Sequence, residues 1–322
     1  MDLANKLAAK KFLVIGRAGM DLSPSPAGTS NEDAESFKAG LGGSSANIAV
    51  GLRKLDCSAD LLTRVSDDSI GRFCVKQLAS YDVGTQYVTP VGGEYRNSIA
   101  LYESRVEGHQ TVIYRNGAAD FQMDEVDVSA PDYTAYSALI TAGTVFAAEP
   151  SRSASFKAFD FARKAGLPVI FDIDYRPYSW PSADVASDVL SRAGAACDLI
   201  VGNDEEFGFM AGSYDNGLTK ARELVETTAQ CVVYKRGELG SITITKGSEF
   251  ESGIFPVDAL KPTGAGDSFM AGFVSSIANG YSLEEAVTRG SACAAITVSK
   301  VGCAPAMPDT TQLEEFLEMR TA

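Results

Sequence analysis

Histidine is nearly missing from this chain: its 322 residues include only one, His109. That count excludes any relay needing two imidazoles and any multi-histidine metal site. Acid–base chemistry falls instead to carboxylates, lysine, tyrosine or cysteine. His109 itself lies in the polar stretch Glu107-Gly108-His109-Gln110 and reads as an exposed loop residue. Basic charge is also short, with 28 Lys and Arg against 42 Asp and Glu and a formal net charge of -14. Holding a nucleic-acid backbone requires a basic face that releases condensed counterions, so nucleic acid is not an expected partner. A locally positive pocket for a small anion remains compatible with an acidic protein.

Other absences narrow the field further. No Gly-Lys pair occurs anywhere, which removes the P-loop pattern G-x-x-x-x-G-K-[ST]. The dinucleotide pattern G-x-G-x-x-G fails at Gly264-Ala265-Gly266, where Phe269 takes the third glycine position, and at Gly40-Leu41-Gly42, where Ser45 does. No run approaches the roughly 20 apolar residues needed to span a bilayer. The start, Met1-Asp2-Leu3-Ala4-Asn5-Lys6, lacks a signal peptide's apolar centre, so a cytoplasmic protein without a membrane partner is expected. The six cysteines form no C-x-x-C pair and read as reduced core thiols. No internal repeat or low-complexity tract is present.

What is present is an apolar fraction of 45%, enough for a well-buried core. Short apolar runs alternate with helical patterns, the signature of an α/β fold with a doubly wound, mostly parallel sheet flanked by helices. Strands are expected at 12–15, 138–141, 169–172, 199–201 and 232–234. Helices are expected at 45–55, 151–165, 182–195, 204–210 and 218–227, with a final pair after Gly266 and Ser282. Ser282 and Glu285 form a capping box for the last of these. Residues of about 22–42 and 92–120 break the rhythm with Gly, Ser, Thr and β-type patches. They read as a small accessory sheet in two insertions within a single domain of 1–322. Such a sheet is either a lid that keeps water from a reacting site or a plain surface hairpin.

In Thr263-Gly264-Ala265-Gly266-Asp267, a glycine-rich turn opens straight into an apolar helix. Free backbone N–H groups and the positive dipole end then meet at one point, which is a ready anion site. A carboxylate there would repel an anion unless it had a task, and accepting a proton from an attacking hydroxyl is such a task. The plain alternative is a helix start with an ordinary first-turn acid.

Together with Gly40-Leu41-Gly42-Gly43-Ser44-Ser45-Ala46-Asn47 about 220 residues earlier, this segment resembles the two signatures of the PfkB, or ribokinase-like, carbohydrate kinases. The resemblance runs along nearly the whole chain. It implies ATP as phosphoryl donor, Mg²⁺ as its ion, and a sugar hydroxyl as acceptor. Gly264, Ala265 and Gly266 would form the anion hole and Asp267 would be the base. Asp21, Gly42, Gly43 and Asn47 would hold sugar hydroxyls. Asn203, Lys235, Gly237 and Thr263 would lie on the nucleotide side, with Glu206 organising the metal. For Gly202-Asn203-Asp204-Glu205-Glu206 the alternative is a helix-capping asparagine followed by exposed acids.

The stretch Asp172-Ile173-Asp174-Tyr175-Arg176-Pro177-Tyr178-Ser179-Trp180 resembles that of family members acting on keto-deoxy sugar acids. Asp174 and Arg176 would then contact the acceptor, with Arg115 as a second cation from the accessory sheet. Guanidinium binds carboxylate in a bidentate way; a structural salt bridge is the equal alternative for each arginine. Gly16-Arg17-Ala18-Gly19-Met20-Asp21, Tyr114-Arg115-Asn116 and Cys303-Ala304-Pro305 resemble the branch serving inositol breakdown, which implies 5-dehydro-2-deoxygluconate phosphorylated at its terminal hydroxyl. The alternatives are 2-dehydro-3-deoxygluconate, a neutral sugar of the fructokinase or ribokinase kind, a nucleoside, or a silent sugar sensor. Lys261-Pro262 stands where ribokinases tend to carry an acid serving a monovalent cation, which counts against potassium activation and leaves Lys261 itself as a source of positive charge near the nucleotide. The oligomeric state is not fixed by the sequence, which allows a homodimer paired through the lid strands.

Overall fold

The apolar runs become strands because they are buried on both faces, which a parallel sheet covered by helices requires. In the computed structural model, which describes residues 2–105, 108–261 and 263–321, thirteen strands alternate with helices. The first seven are β1 (Lys11–Ile15), β2 (Gly19–Pro24), β3 (Phe37–Gly42), β4 (Ser58–Ser66), β5 (Gly84–Val91), β6 (Ile99–Tyr102) and β7 (Thr111–Tyr114). The rest are β8 (Ala138–Ala142), β9 (Val169–Asp172), β10 (Leu199–Asn203), β11 (Cys231–Lys235), β12 (Ser241–Thr245) and β13 (Ser248–Ser252). Nine of them form the main sheet in the order β13-β12-β11-β10-β9-β8-β1-β4-β5. All its pairings are parallel except the β11–β12 and β12–β13 ones.

From β1 the chain winds outward through β4 and β5, then returns to the other side of β1 at β8. That reversal is a topological switch point, where the crevice beyond the carboxyl ends of the strands takes ligands. The ends of β1, β8, β9, β10 and β11 deliver Arg17, Thr144, Asp172 to Arg176, Asn203 and Lys235 to one edge.

One layer of the core packs the helix Ser44–Lys54 and the pair Ala265–Ala278 and Leu283–Val298 against the sheet; the other packs Ser151–Lys164 and Ala183–Gly194 on its opposite face. The helix Ala265–Ala278 is buried from Ser268 to its end, so its first turn is rigidly aimed. Small residues allow its neighbours to approach: a Cβ on Gly51 would lie 2.5 Å from that of Ala271. The capping box of Ser282 and Glu285 is formed as expected.

The accessory strands build a separate sheet, β3-β2-β6-β7. It begins at Gly19, earlier than the expected 22, because Gly19 and Gly42 are partners in the β2–β3 ladder. Glu107 and Pro262 lie outside the described residues.

Candidate active site

Gly264 caps the helix Ala265–Ala278 in the left-handed conformation, φ 85°, and no side chain closes that cap. A left-handed residue is cheapest as glycine. The helix's opening N–H groups therefore face the cleft. Asp267 sits in the first turn, and Asn47 Nδ2 donates to its Oδ2 at 2.8 Å. Lys235, at the end of β11, hangs its ammonium over the same turn, since a Cβ on Gly266 would lie 3.4 Å from Nζ. Burial, then the Asp174 charge, push the Asp267 carboxyl up to about 6, against the Asn47 hydrogen bond, Arg176 and Lys235. A carboxylate tuned toward neutral pH is a better proton acceptor than an ordinary one.

Behind it lies a dense group of charges. Asp172, closing β9, is pushed up to about 8 by burial and by Glu206, Asp174 and Asp267, although Lys235 opposes this. Asp174 has a positive φ of 35°, a conformation that asks a non-glycine residue for compensation. The compensation is visible: Ser44 Oγ donates to its carboxylate, and Arg176 Nη2 meets it at 2.8 Å. Burial raises the Asp174 carboxyl, but Arg176, Ser44, Arg17 and Arg115 together bring it below its ordinary value. Arg176 also reaches Glu206 at 3.8 Å and so spans both halves of the site.

Asn203 and Glu206 form a reciprocal capping box, with both N–H to oxygen distances at 2.8 Å. The asparagine cap is thus realised in the geometry, but Glu206 is buried rather than exposed, and both residues line the cleft. Arg115 is buried, paired with Asp120, bonded to the Thr144 carbonyl at 3.2 Å and stacked 4.2 Å from the Phe121 ring centre. Much of its bonding capacity is taken by the fold.

Asp21, on β2, is buried at the acceptor end, where desolvation raises its carboxyl against Arg17, Cys303 and Lys261. Gly42 is pressed against it: a Cβ there would fall 1.8 Å from Asp21 Oδ1. Gly43, at φ 102°, lets Arg17's carbonyl approach. A cleft of about 1240 Å³ joins these features, and of the residues singled out in the sequence only Gly42 is not part of its wall.

Sequence reasoning missed several wall residues. Arg17 is buried in the cleft, with Nη1 on Ser98 Oγ at 2.8 Å. It lay inside a quoted motif, but nothing in a lone arginine announced which way it faced. Asp172 was likewise quoted without a role. The apolar end of the cleft, with Ile254, Phe255, Pro256, Ala294 and Val298, comes from an irregular segment and a helix flank that carry no motif.

The family model described as "pfkB family carbohydrate kinase" matches residues 9–310. A protein of Photobacterium profundum called 5-dehydro-2-deoxygluconokinase is 38% identical over 315 residues, 96% of this chain and 95% of that protein. One of the same name from Geobacillus kaustophilus is 35% identical over 312 residues, 95% of this chain and 93% of that protein. A solved fructokinase double mutant from Vibrio cholerae O395, in a fructose, ADP and potassium ion bound form, shares the fold with a TM-score of 0.84 at 23% identity, covering 96% of this chain and 99% of its own.

Proposed function

Because the chain belongs to the pfkB family of carbohydrate kinases, we propose that it transfers the γ-phosphoryl group of ATP to the terminal hydroxyl of a keto-deoxy sugar acid, 5-dehydro-2-deoxygluconate. The observation that carries this reading is Asp267, tuned toward neutral pH and held by Asn47 beside an uncapped helix start. The names of the curated relatives support the acceptor, and the arginines of the acceptor end support its carboxylate.

The adenine lies against the apolar wall near Phe255 and Val298, and the phosphates run toward Lys235 and the Gly264–Gly266 turn. The acceptor sits under the accessory sheet, which acts as a lid, with hydroxyls on Asp21 and Asn47 and its carboxylate on Arg176, assisted by Arg17 and by what donor capacity Arg115 retains. Asp267 takes the hydroxyl proton as the new O–P bond forms and the bond between the β and γ phosphates breaks, releasing ADP. The turn's N–H groups and Lys235 stabilise the charge that develops on the phosphoryl oxygens.

Among the described residues no trio of His, Cys, Asp or Glu is close enough to cage a metal. Mg²⁺ that arrives on the phosphates needs only one or two protein carboxylates and water. The crowded Asp172 and Glu206, both raised by burial, suit that role because a cation relieves their mutual repulsion. When bound, the ion would neutralise negative charge on the phosphates.

An ADP-release assay across sugar acids, ketoses and nucleosides tests the acceptor. Turnover confined to ketoses or nucleosides would refute the sugar-acid assignment. Arg176→Ala should raise the KM for the sugar acid about tenfold, the order expected of a charge-assisted hydrogen bond shared with water. The ATP KM should move little, and equal shifts in both would argue against carboxylate binding at Arg176. Its side chain is 45% exposed, which is why a larger effect is not expected.

We also place the enzyme in the cytoplasm, where six buried free thiols suit a reducing compartment. No helix among the described residues is long and apolar enough to cross a membrane. The accessory sheet exposes Phe37, Val112 and Tyr114 on its edge strands β3 and β7. Unpaired edges carrying apolar side chains suit pairing with a second copy. Sedimentation equilibrium should give twice the chain mass, and Tyr114→Lys should lower it toward one.

A further inference from the structure

Among the described residues Lys261 is the only buried lysine, and it has no exposed surface. Taking an ammonium out of water costs several kcal/mol unless other groups replace the water. Here Nζ donates to the backbone carbonyl of Thr263, the residue that leads into the Gly264 turn. The charged and polarisable groups that face it are Asp21, Asp267 and the Cys303 thiol. Its own backbone is fastened elsewhere: Leu260 and Lys261 N–H both donate to the Val298 carbonyl, at 2.8 and 3.4 Å. Cys303 closes the arrangement, since a Cβ on Gly264 would lie 3.2 Å from its Sγ. The ammonium is thus clamped behind the turn whose front receives the transferring phosphate. Burial lowers its affinity for a proton, and the three facing groups restore part of it.

We propose that Lys261 is a tethered monovalent cation, a positioning residue that fixes the Thr263–Gly264 turn and contributes positive charge there, so that this kinase turns over without a dissociable alkali ion. The inference rests on the kinase reading above. A mobile cation brought to the Thr263 carbonyl would be repelled by this ammonium, and only the tethered charge is present at every salt composition. The tether also avoids the binding equilibrium that a free ion must satisfy before each turnover.

The test measures ADP release from ATP and 5-dehydro-2-deoxygluconate in tetramethylammonium chloride at constant ionic strength, then with sodium, potassium or ammonium replacing it. The parent enzyme should be indifferent to the exchange. Lys261→Met, close in length but neutral, should lose about a hundredfold in kcat in tetramethylammonium, the order lost with one preorganised electrostatic group. Potassium or ammonium should restore part of that loss. Stimulation of the parent by potassium would overturn the proposal, as would a Lys261→Met enzyme at parental kcat or one unresponsive to every small cation. Should Lys261→Met fail to fold, the parent's salt series decides alone. Failure of the kinase reading looks different, as no ADP release in any salt.

Discussion

Asp267→Asn should lower kcat by roughly a hundredfold to ten-thousandfold, the range that general-base catalysis contributes. ATP and acceptor should bind nearly as before, because asparagine keeps the shape and can still accept from Asn47 Nδ2. The pH profile sharpens the test. With its carboxyl pushed up to about 6 in the free enzyme, the parent's kcat/KM should fall about tenfold per pH unit below that value, and the slope should vanish in the variant. Stability should move the other way. A carboxyl raised from 3.8 to about 6 by the fold contributes stability below 3.8, and that contribution is lost as pH rises through about 6. At neutral pH the ionised Asp267 therefore works against folding, so the variant's Tm at pH 7.5 should equal or exceed the parent's. A variant with near-parental turnover would refute the base assignment; one with a collapsed Tm would make the lost turnover uninformative.

The same tension explains which parts of this protein could be read from its sequence. The five buried strands at the centre of the sheet, β1, β8, β9, β10 and β11, stand out because continuous apolar runs are what a doubly covered strand must be. The outer strands do not. In β4, Asp60 and Arg64 interrupt the run; they are tolerated because Tyr136 donates to Asp60 at 2.6 Å and Arg64 pairs with Asp127 at 2.7 Å and Asp124 at 3.2 Å. In β12, Ser241-Ile242-Thr243-Ile244-Thr245 alternates in a way that suggests one wet face, yet Ser241 and Thr243 are buried. In β4 the deciding partners are distant in the chain, and a local pattern cannot contain them.

Within the site, residues that carry a backbone signature were legible and residues that act only by orientation were not. Gly264 to Asp267 and Gly42-Gly43 announce themselves because glycine is needed where the chain turns left-handed or another group presses close. Arg17 and Arg115 are one residue type with two surroundings. Arg115 is bound up by Asp120 and Phe121, whereas Arg17 has Ser98 on the cleft wall. No spacing rule separates them. Lys261 is an intermediate case: the resemblance singles out its position, but a lysine in a loop ordinarily reads as exposed, and the structure buries it fully beside the Thr263 carbonyl.

Gly42 and Gly43 are adjacent, and alanine at each should fail in a different way. At Gly42 the backbone is one that alanine adopts without strain, and the added methyl would meet the carboxyl group at the end of a side chain, Asp21 Oδ1 at 1.8 Å, Cγ at 2.1 Å and Oδ2 at 2.5 Å. The carboxylate can swing aside, so Gly42→Ala should fold with a Tm near the parent's. Its acceptor binding should suffer instead. A displacement of about 1 Å in a positioning group lowers turnover on the order of a hundredfold, so kcat/KM for the sugar acid should fall by that factor while the ATP KM stays put. At Gly43 the backbone has φ 102°, and a methyl would strike the Arg17 carbonyl oxygen at 2.3 Å and its carbon at 2.9 Å. Backbone cannot swing aside. Gly43→Ala combines left-handed strain with an overpacked contact, about 2 kcal/mol or more together, and should lower the Tm by several degrees before any kinetic effect is considered. Thermal melts and initial rates on both proteins separate the two outcomes. If Gly42→Ala loses stability as much as Gly43→Ala, Asp21 is locked by the fold rather than held for a ligand, and its role in gripping the acceptor fails.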